Sequence, residues 1–171
     1  MSNTFLISDT HWSHANFLSF KDEEGNQIRK FNSVEEMDEL MIENWNKTVK
    51  SQDKVYHLGD VCFSLRTLDR IMPRLNGTKV LIKGNHDNLK LAQYHKHFKD
   101  VRGSHQLDKF VLSHIPLHPE SLGRWAKGNI HGHLHERHVM LGGVKDSRYL
   151  NVCVEQINYT PVSLEDIKSK I

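Results

Sequence analysis

Residues able to bind a metal ion follow five short apolar segments of the sequence. The segments FLIS, VYHLG, VLIKG, FVLS and NIHG are followed at once by Asp9, Asp60, Asn85, His114 and His133, with His11 and His135 two residues beyond the first and last of these. Carboxylate, amide and imidazole groups without a thiolate suit Mn²⁺, Fe, Ni or Zn²⁺, whereas a structural zinc site would recruit cysteine. The residue types therefore indicate a site for divalent cations.

Short β-strands and amphipathic helices are expected to position these residues. Strands are predicted at residues 4–8, 55–58, 79–83, 110–113, 129–130 and 149–154, and helices at 33–49, 64–72, 88–98 and 163–170. The first helix has a capping box in Ser33 and Glu36, and Pro73 ends the second. The alternation of strands and helices is typical of an α/β fold.

Strand ends at one edge of a sheet would bring the distant residues together. In open α/β sheets the crevice outside the carboxyl ends of the strands is where ligands bind. Taken singly, an Asp-x-His after a strand is typical of a loop or a helix cap, and Gly-Asp is typical of a turn. All five segments carry such residues, and this joint pattern favours one shared metal site.

The bulk composition limits the classes of protein to consider. The 171 residues, 37% hydrophobic and 26% charged, predict one globular domain over residues 1–171. A net charge of +2 is compatible with a nucleic-acid partner but does not indicate one. Cys62 and Cys153 form no CxxC pair, and neither a leader nor a membrane-length apolar segment is visible, so we expect a cytoplasmic protein without a membrane partner.

Five blocks of the sequence resemble, in order, the signatures of the calcineurin-like metallophosphoesterases. They are Asp9-Thr10-His11, Gly59-Asp60, Gly84-Asn85-His86-Asp87, His114 and Gly132-His133-Leu134-His135. The resemblance runs from about residue 5 to residue 155, and Leu134 stands where relatives often have a small or hydroxylated residue. It implies a four-layer αββα sandwich without a cap domain, and hydrolysis of a phosphate ester.

The resemblance also implies a dinuclear metal site in which Asp60 bridges two divalent ions. One ion would be bound by Asp9, His11 and His135, and the other by Asn85, His114 and His133. Manganese is the expected metal, with iron, nickel or zinc as alternatives. A pair of ions about 3.5–4 Å apart can hold a phosphoryl group and a bridging water whose pKa falls toward neutrality, which supplies the attacking hydroxide.

Three further residues have expected roles beside the metals. His86 is the candidate for assisting the leaving group, as the family also implies, and Asp87 would orient its imidazole or cap a helix. His14 would contact the substrate phosphate or serve as a loop histidine. The aromatic residues Trp12, Phe17 and Trp125 are expected to pack under loops, although stacking on a base is the alternative.

The function expected first is hydrolysis of a phosphodiester, nucleotide or nucleic-acid related, because no insertion is available to enclose the substrate. A protein or small-molecule phosphomonoesterase is the alternative. A non-catalytic metal-binding scaffold and a mononuclear regulator are alternatives of another class. The physiological substrate and the oligomeric state are not determined by the residues.

Overall fold

The computed structural model describes residues 2–169 and arranges most of the strands in two sheets. The strands are β1 (Thr4–Ile7), β2 (Lys54–His57), β3 (Thr78–Ile82), β4 (Asp100–Arg102), β5 (Ser104–Leu107), β6 (Phe110–Ser113), β7 (Gly128–His131), β8 (Met140–Leu141), β9 (Val144–Lys145), β10 (Tyr149–Asn151) and β11 (Val162–Ser163). The α-helices are α1 (Val34–Thr48), α2 (Leu65–Ile71), α3 (Leu91–Tyr94) and α4 (Leu164–Lys168). The predicted α/β class is confirmed.

The first sheet has the strand order β11-β1-β2-β3-β4, in which β1 to β4 run parallel and β11 is antiparallel. Parallel neighbours need crossover connections, and α1 and α2 lie in the two crossovers between β1, β2 and β3. Phe5 pairs with Val55, and Val55 with Lys79, so the three strands end level with one another. Their carboxyl ends therefore open at one edge.

The second sheet has the order β10-β7-β6-β5, with β5 antiparallel to β6 and the other pairs parallel. It packs against the first sheet, because Leu6 and Ile82 of one share an apolar cluster with Leu112 and Ile130 of the other. The carboxyl ends of β6 and β7 thereby come beside those of β1 to β3.

Both faces of the first sheet are buried, which explains its nearly continuous apolar strands. The odd-numbered Phe5 and Ile7 pack with Met41 and Trp45 of α1, on the face opposite the second sheet. The outer face of the second sheet has a smaller cluster around Leu122, in a 3-10 helix. No helix in the described residues is both long and apolar enough to cross a membrane.

The first two predicted helices are confirmed, with one change in capping. Ser33 accepts the backbone N–H of Glu36 at 3.1 Å, and Ser64 caps α2 in the same way. The Glu36 carboxylate accepts from the N–H of Asn32, and not from that of Ser33 as a capping box would require. Pro73 lies in a 3-10 turn after α2.

Other element boundaries differ from the predictions. The helix predicted at 88–98 is wrong in length, because the helix in this region is the four-residue α3, and Tyr94 and Phe98 are buried by tertiary packing. The strand predicted at 149–154 ends at Asn151, whose side chain accepts the N–H of Cys153. Predicted residue 170 of the last helix lies outside the described residues. β4, β5, β8, β9 and β11 were not predicted.

Candidate metal centre

The strand ends bring the predicted ligands together around the carboxylate of Asp60. Its Oδ2 lies 3.7 Å from Nε2 of His11 and 3.3 Å from Nε2 of His114. These histidines come from the loop after β1 and the end of β6, and both are buried. Asp60 therefore lies between two sets of donor atoms, each of which takes residues from both sheets.

The first donor set is centred on Asp9. Its Oδ1 lies 3.8 Å from Nε2 of His11 and 3.6 Å from Nε2 of His135. Asp9 Oδ1 and His11 Nε2 are buried and have no hydrogen-bond partner among residues 2–169. Buried polar atoms are nearly always satisfied, so two facing atoms of this kind call for a partner such as a cation.

The second donor set is centred on the side-chain oxygen of Asn85. This oxygen lies 2.8 Å from Nε2 of His114 and 3.0 Å from Nδ1 of His133. Ligands about 2.0–2.2 Å from one cation are separated from each other by about 3–4 Å, which is the spacing in both sets. The residues thus fit a metal ion, and all seven predicted ligands lie in these two sets together with Asp60.

The backbone of the loops is held in an unusual conformation at this centre. Asp9, His11, Asp60, His133 and His135 have positive φ angles between 45° and 70°. Non-glycine residues in this region cost about 1–3 kcal/mol each and cluster at functional sites, and Asp and His are among the types that tolerate it best. The loops therefore bear strain to direct these side chains inward.

Glycine is required where two of these loops touch. A Cβ on Gly132 would overlap Ser8 Oγ and Asp9 Oδ2, and a Cβ on Gly84 would overlap the Asp60 side chain. Gly132 thus allows a loop of the second sheet to approach the loop after β1, and Gly84 allows the loops after β2 and β3 of the first sheet to approach each other.

Outer contacts determine which nitrogen of two histidines faces the centre. His114 Nδ1 lies 2.7 Å from the carbonyl oxygen of Leu58, so this nitrogen carries the proton and donates it. His135 Nδ1 lies 3.1 Å from Oε1 of Glu155. In both rings Nε2 is left to face the donor set, as in the carboxylate–histidine–metal arrangement of many metal sites.

Arg29 completes this arrangement and was not predicted as a site residue. It is fully buried; its Nε donates to Glu155 Oε1 at 2.8 Å, and its terminal nitrogens donate to the carbonyl oxygens of Asp9 and Thr10 at 2.5 and 2.9 Å. Arg29 therefore ties the loop after β1 to the carboxylate that orients His135. Glu155 directly follows the predicted strand 149–154, so the search for functional residues directly after strands could have found it. Arg29 lies in a polar stretch that contains no such signal.

Asp87 was expected to orient the imidazole of His86 or to cap a helix, but its hydrogen-bond partners are different. Its Oδ2 accepts the N–H groups of Asp60 and Gly84 at 2.8 Å, and its Oδ1 accepts that of Val61 at 2.9 Å. The buried carboxylate is thus used to bind the loops after β2 and β3 together. It neither pairs with the His86 ring nor caps a helix within the described residues.

His86 is exposed at the edge of the centre. Its N–H donates to Asp60 Oδ1 at 2.9 Å, which fixes the backbone, and its ring lies 5.8 Å from that of His11 between centroids. His14 is 4.6 Å from the Phe63 ring and lines the same cavity, about 510 Å³ in volume. Trp12 is buried as predicted, whereas Trp125 is 46% exposed.

The buried carboxylates create a local demand for positive charge. Burial opposes ionisation of Asp9, but contact with His11 and the charges of His114 and His135 outweigh it and hold the pKa of Asp9 well below its usual range. Burial likewise disfavours the imidazolium of His114, yet the carboxylates of Asp60 and Asp9 raise its pKa to about 9. A proton on His114 or a bound cation satisfies this demand.

Two buried histidines next to the centre have structural contacts. His57 Nε2 lies 2.9 Å from Oγ1 of Thr10, and burial lowers the pKa of His57 to about 3. His131 Nδ1 is 2.8 Å from the carbonyl oxygen of Gly132, and burial lowers its pKa to about 4. Both are therefore neutral near pH 7.

Comparisons with known proteins give relatives whose activity is not described. No family model matches the chain. The chain is 36% identical over 174 residues to the uncharacterized protein MJ1445 of Methanocaldococcus jannaschii, covering 96% of this chain and 89% of that protein. The crystal structure of the protein of unknown function AQ665 from Aquifex aeolicus overlays with a TM-score of 0.74 at 24% identity, with both chains covered in full.

The overlay on the Aquifex protein shows a shared fold. Vacuolar protein sorting 29 from Cryptosporidium parvum overlays with a TM-score of 0.42 at 17% identity, over 88% of this chain and 72% of that one. That score is too low to establish a common fold.

Proposed function

We propose that this chain, which belongs to the same family as the protein MJ1445 of Methanocaldococcus jannaschii, is a two-metal phosphoesterase of the calcineurin-like type. The observation that carries the proposal is the position of Asp60. Its Oδ2 lies within 3.7 Å of histidines from both donor sets, where a carboxylate can neutralise charge on two cations at once. Manganese is the first candidate, because all seven ligands are oxygen or nitrogen donors.

The fold in this proposal is a four-layer αββα sandwich. The two packed sheets and the cover of α1 and α2 on the first support three of these layers. The 3-10 helix Pro119–Leu122, with the small cluster around Leu122, takes the place of the fourth. We also propose a cytoplasmic location, since Cys62 and Cys153 are both free thiols.

The residues of the chain position the metal ligands and supply a proton donor for the reaction. When bound, the cations polarise the phosphate ester and lower the pKa of water. Asp60 keeps the donor sets together, while Glu155 and Arg29 orient His135. His86 is exposed beside the centre and is in position to give a proton to the departing oxygen.

The space around the centre favours a phosphodiester. A cavity of about 510 Å³ adjoins His11 and His135, and another of about 470 Å³ adjoins Asn85 and His114. A diester has a substituent on each side of phosphorus, so room on both sides accommodates it. A phosphomonoester, the alternative substrate, would use one cavity only.

A non-catalytic scaffold or a mononuclear regulator is the alternative of another class. Neither protein would need a complete second donor set. The strained loops would lower its stability without contributing to a reaction. Both donor sets are complete here, and Asp9 Oδ1 and His11 Nε2 lack protein partners within the described residues. These observations favour catalysis.

Metal content and substrate preference test the proposal together. Protein stripped with a chelator and reloaded with Mn²⁺ is expected to bind about two equivalents per chain. It should then hydrolyse bis-p-nitrophenyl phosphate faster than p-nitrophenyl phosphate. Faster turnover of the monoester would show that the protein is a phosphomonoesterase and not a phosphodiesterase. One equivalent or none, without hydrolysis under any divalent metal, would favour the scaffold or the regulator.

Asp60→Asn is the decisive variant, because its effect is confined to one atom. The retained Oδ1 still accepts the N–H of His86, while Oδ2 becomes an amide nitrogen that cannot bind a cation. We expect kcat/KM to fall at least about 1000-fold and metal content to drop. Asp108→Asn is the matched control: it has φ 55° against 56° for Asp60, lies at the β5–β6 turn, and should leave both quantities unchanged.

A further inference from the structure

One cavity beside the centre joins the catalytic edge to an aromatic wall. Its volume is about 510 Å³, and its lining includes His11, His86 and His135. Phe17, Phe20 and Phe63 also line it, with Phe17 and Phe63 in contact with His11. The charged residues of the lining are Lys21, Asp22, Glu23, Glu136 and Arg137. A cavity of this size suits a drug-sized ligand with apolar faces and polar edges.

Two of these phenylalanines present their rings to solvent. Phe20 is 42% exposed and Phe63 is 46% exposed, although large aromatic side chains are normally buried. Phe63 is stacked on His11, with 5.6 Å between centroids and 21° between planes, and lies edge-on to His86 at 5.4 Å. A planar ring bound to Phe63 would thus lie next to His86.

The second cavity differs in chemistry. It is about 470 Å³ in volume and is lined by Lys83, Ser104, Ser113 and Ile115 beside Asn85 and His114, with no Phe, Tyr or Trp in its lining. The two sides of the centre are therefore unequal, and an aromatic substituent has a stacking surface on only one of them.

We propose that the aromatic cavity binds the base of a nucleoside that departs as the leaving alcohol, so that the substrate is a nucleoside phosphodiester. This inference rests on the proposed phosphoesterase function. His86, on the cavity wall, selects this side as the leaving side. The oxygen of water bonds to phosphorus, and the bond from phosphorus to the nucleoside oxygen breaks. That oxygen takes a proton from His86, and a proton from the attacking water restores it.

Binding of free nucleosides tests the cavity without any hydrolysis. Thymidine and adenosine would be titrated into metal-free protein and followed by saturation-transfer NMR, with the base protons expected to receive most saturation. Phe63→Leu and Phe20→Leu keep an apolar side chain but lose the ring, and each should weaken binding about tenfold. Trp125→Leu removes an exposed ring outside the cavity and should bind like the wild type.

Turnover of methyl p-nitrophenyl phosphate tests the leaving side, because its aromatic group is the one that departs. With Mn²⁺, Phe63→Leu should lower kcat/KM about tenfold, while Trp125→Leu should not change it. Equal kcat/KM values for the wild type, Phe63→Leu and Trp125→Leu, or no binding of nucleosides, would overturn the inference. The proposed phosphoesterase function would not be affected by that result. Nucleoside binding lost in Phe63→Leu, without hydrolysis by the wild type, would support the cavity and overturn the phosphoesterase.

Discussion

The buried contacts of Arg29 allow a quantitative prediction. In Arg29→Met a side chain of similar length replaces the guanidinium, so packing is largely kept while its three hydrogen bonds to oxygen and the weaker one to the Met37 sulfur are lost. The Glu155 carboxylate, 6% exposed, would then face His135 alone, and the carbonyl oxygens of Asp9 and Thr10 would lose their donor. A buried charge without its partner is the main source of the expected loss of stability.

The size of the effect follows from burial. Removing one partner of a buried ion pair costs about 3–5 kcal/mol. For a domain of this length each kcal/mol shifts the melting temperature by about 2–4 °C, which gives a fall of about 6–20 °C for Arg29→Met. Because His135 loses its fixed orientation, Mn²⁺ affinity should also fall about 10–100-fold.

The chain offers the same substitution at an exposed ion pair. Arg74 donates to both carboxylate oxygens of Glu39 at 2.7 and 2.6 Å, but the side chains are 41% and 57% exposed. Exposed pairs contribute about 0–1 kcal/mol, so Arg74→Met should shift the melting temperature by less than about 4 °C.

Thermal unfolding of the metal-free proteins and calorimetric titration with Mn²⁺ measure the two effects. Equal melting temperatures for Arg29→Met and Arg74→Met would refute the reasoning from burial. Unchanged Mn²⁺ affinity in Arg29→Met would refute the link from Arg29 through Glu155 to His135. Should Arg29→Met fail to fold, Glu155→Gln serves instead, because the amide oxygen can still accept from His135 while the ion pair is lost.

Three further predictions address the centre and the core. His86→Gln should lower kcat about 100- to 10,000-fold while the content of bound Mn²⁺, measured by elemental analysis, stays unchanged. Gly132→Ala should weaken Mn²⁺ binding in calorimetric titration, because its Cβ would overlap Ser8 and Asp9. Burial lowers the pKa of Lys79 to about 8 from 10.5. Between these two pH values the unfolded state therefore binds more protons than the folded state. The free energy of unfolding of the wild type should thus increase as the pH rises through this range. In urea unfolding, the stability of Lys79→Met relative to the wild type should therefore decline from pH 7 to pH 10.

Each of these predictions has an outcome that contradicts it. Loss of Mn²⁺ together with activity in His86→Gln would make His86 a structural or ligand residue. Normal Mn²⁺ affinity in Gly132→Ala, with Gly103→Ala as a control in open space, would show that the loops separate easily. A pH-independent difference between Lys79→Met and the wild type would show that the ammonium group is not the source of the effect.

Sequence patterns determined the parts of this protein that depend on neighbours along the chain. Ser33 and Ser64 cap the helices they precede, and β6 covers the predicted residues 110–113. Asp9, Asp60 and Asn85 follow neighbouring parallel strands, so parallel pairing was enough to predict that these three meet. His114, His133 and His135 reach them through the packing of the second sheet. Strand ends are local signals with a geometric consequence, which made most of the donor set predictable.

Only the tertiary structure decided which groups surround those ligands. Arg29 and Glu155 are 126 residues apart in the chain, and their contact depends on how the two sheets pack. The pairing of β2 with β3 brings Asp87 to three backbone amides in the loops after these strands. Phe63 has no neighbouring signal that marks its ring as exposed. Burial and charge pairing arise from contacts between distant segments, which no local pattern of residues encodes.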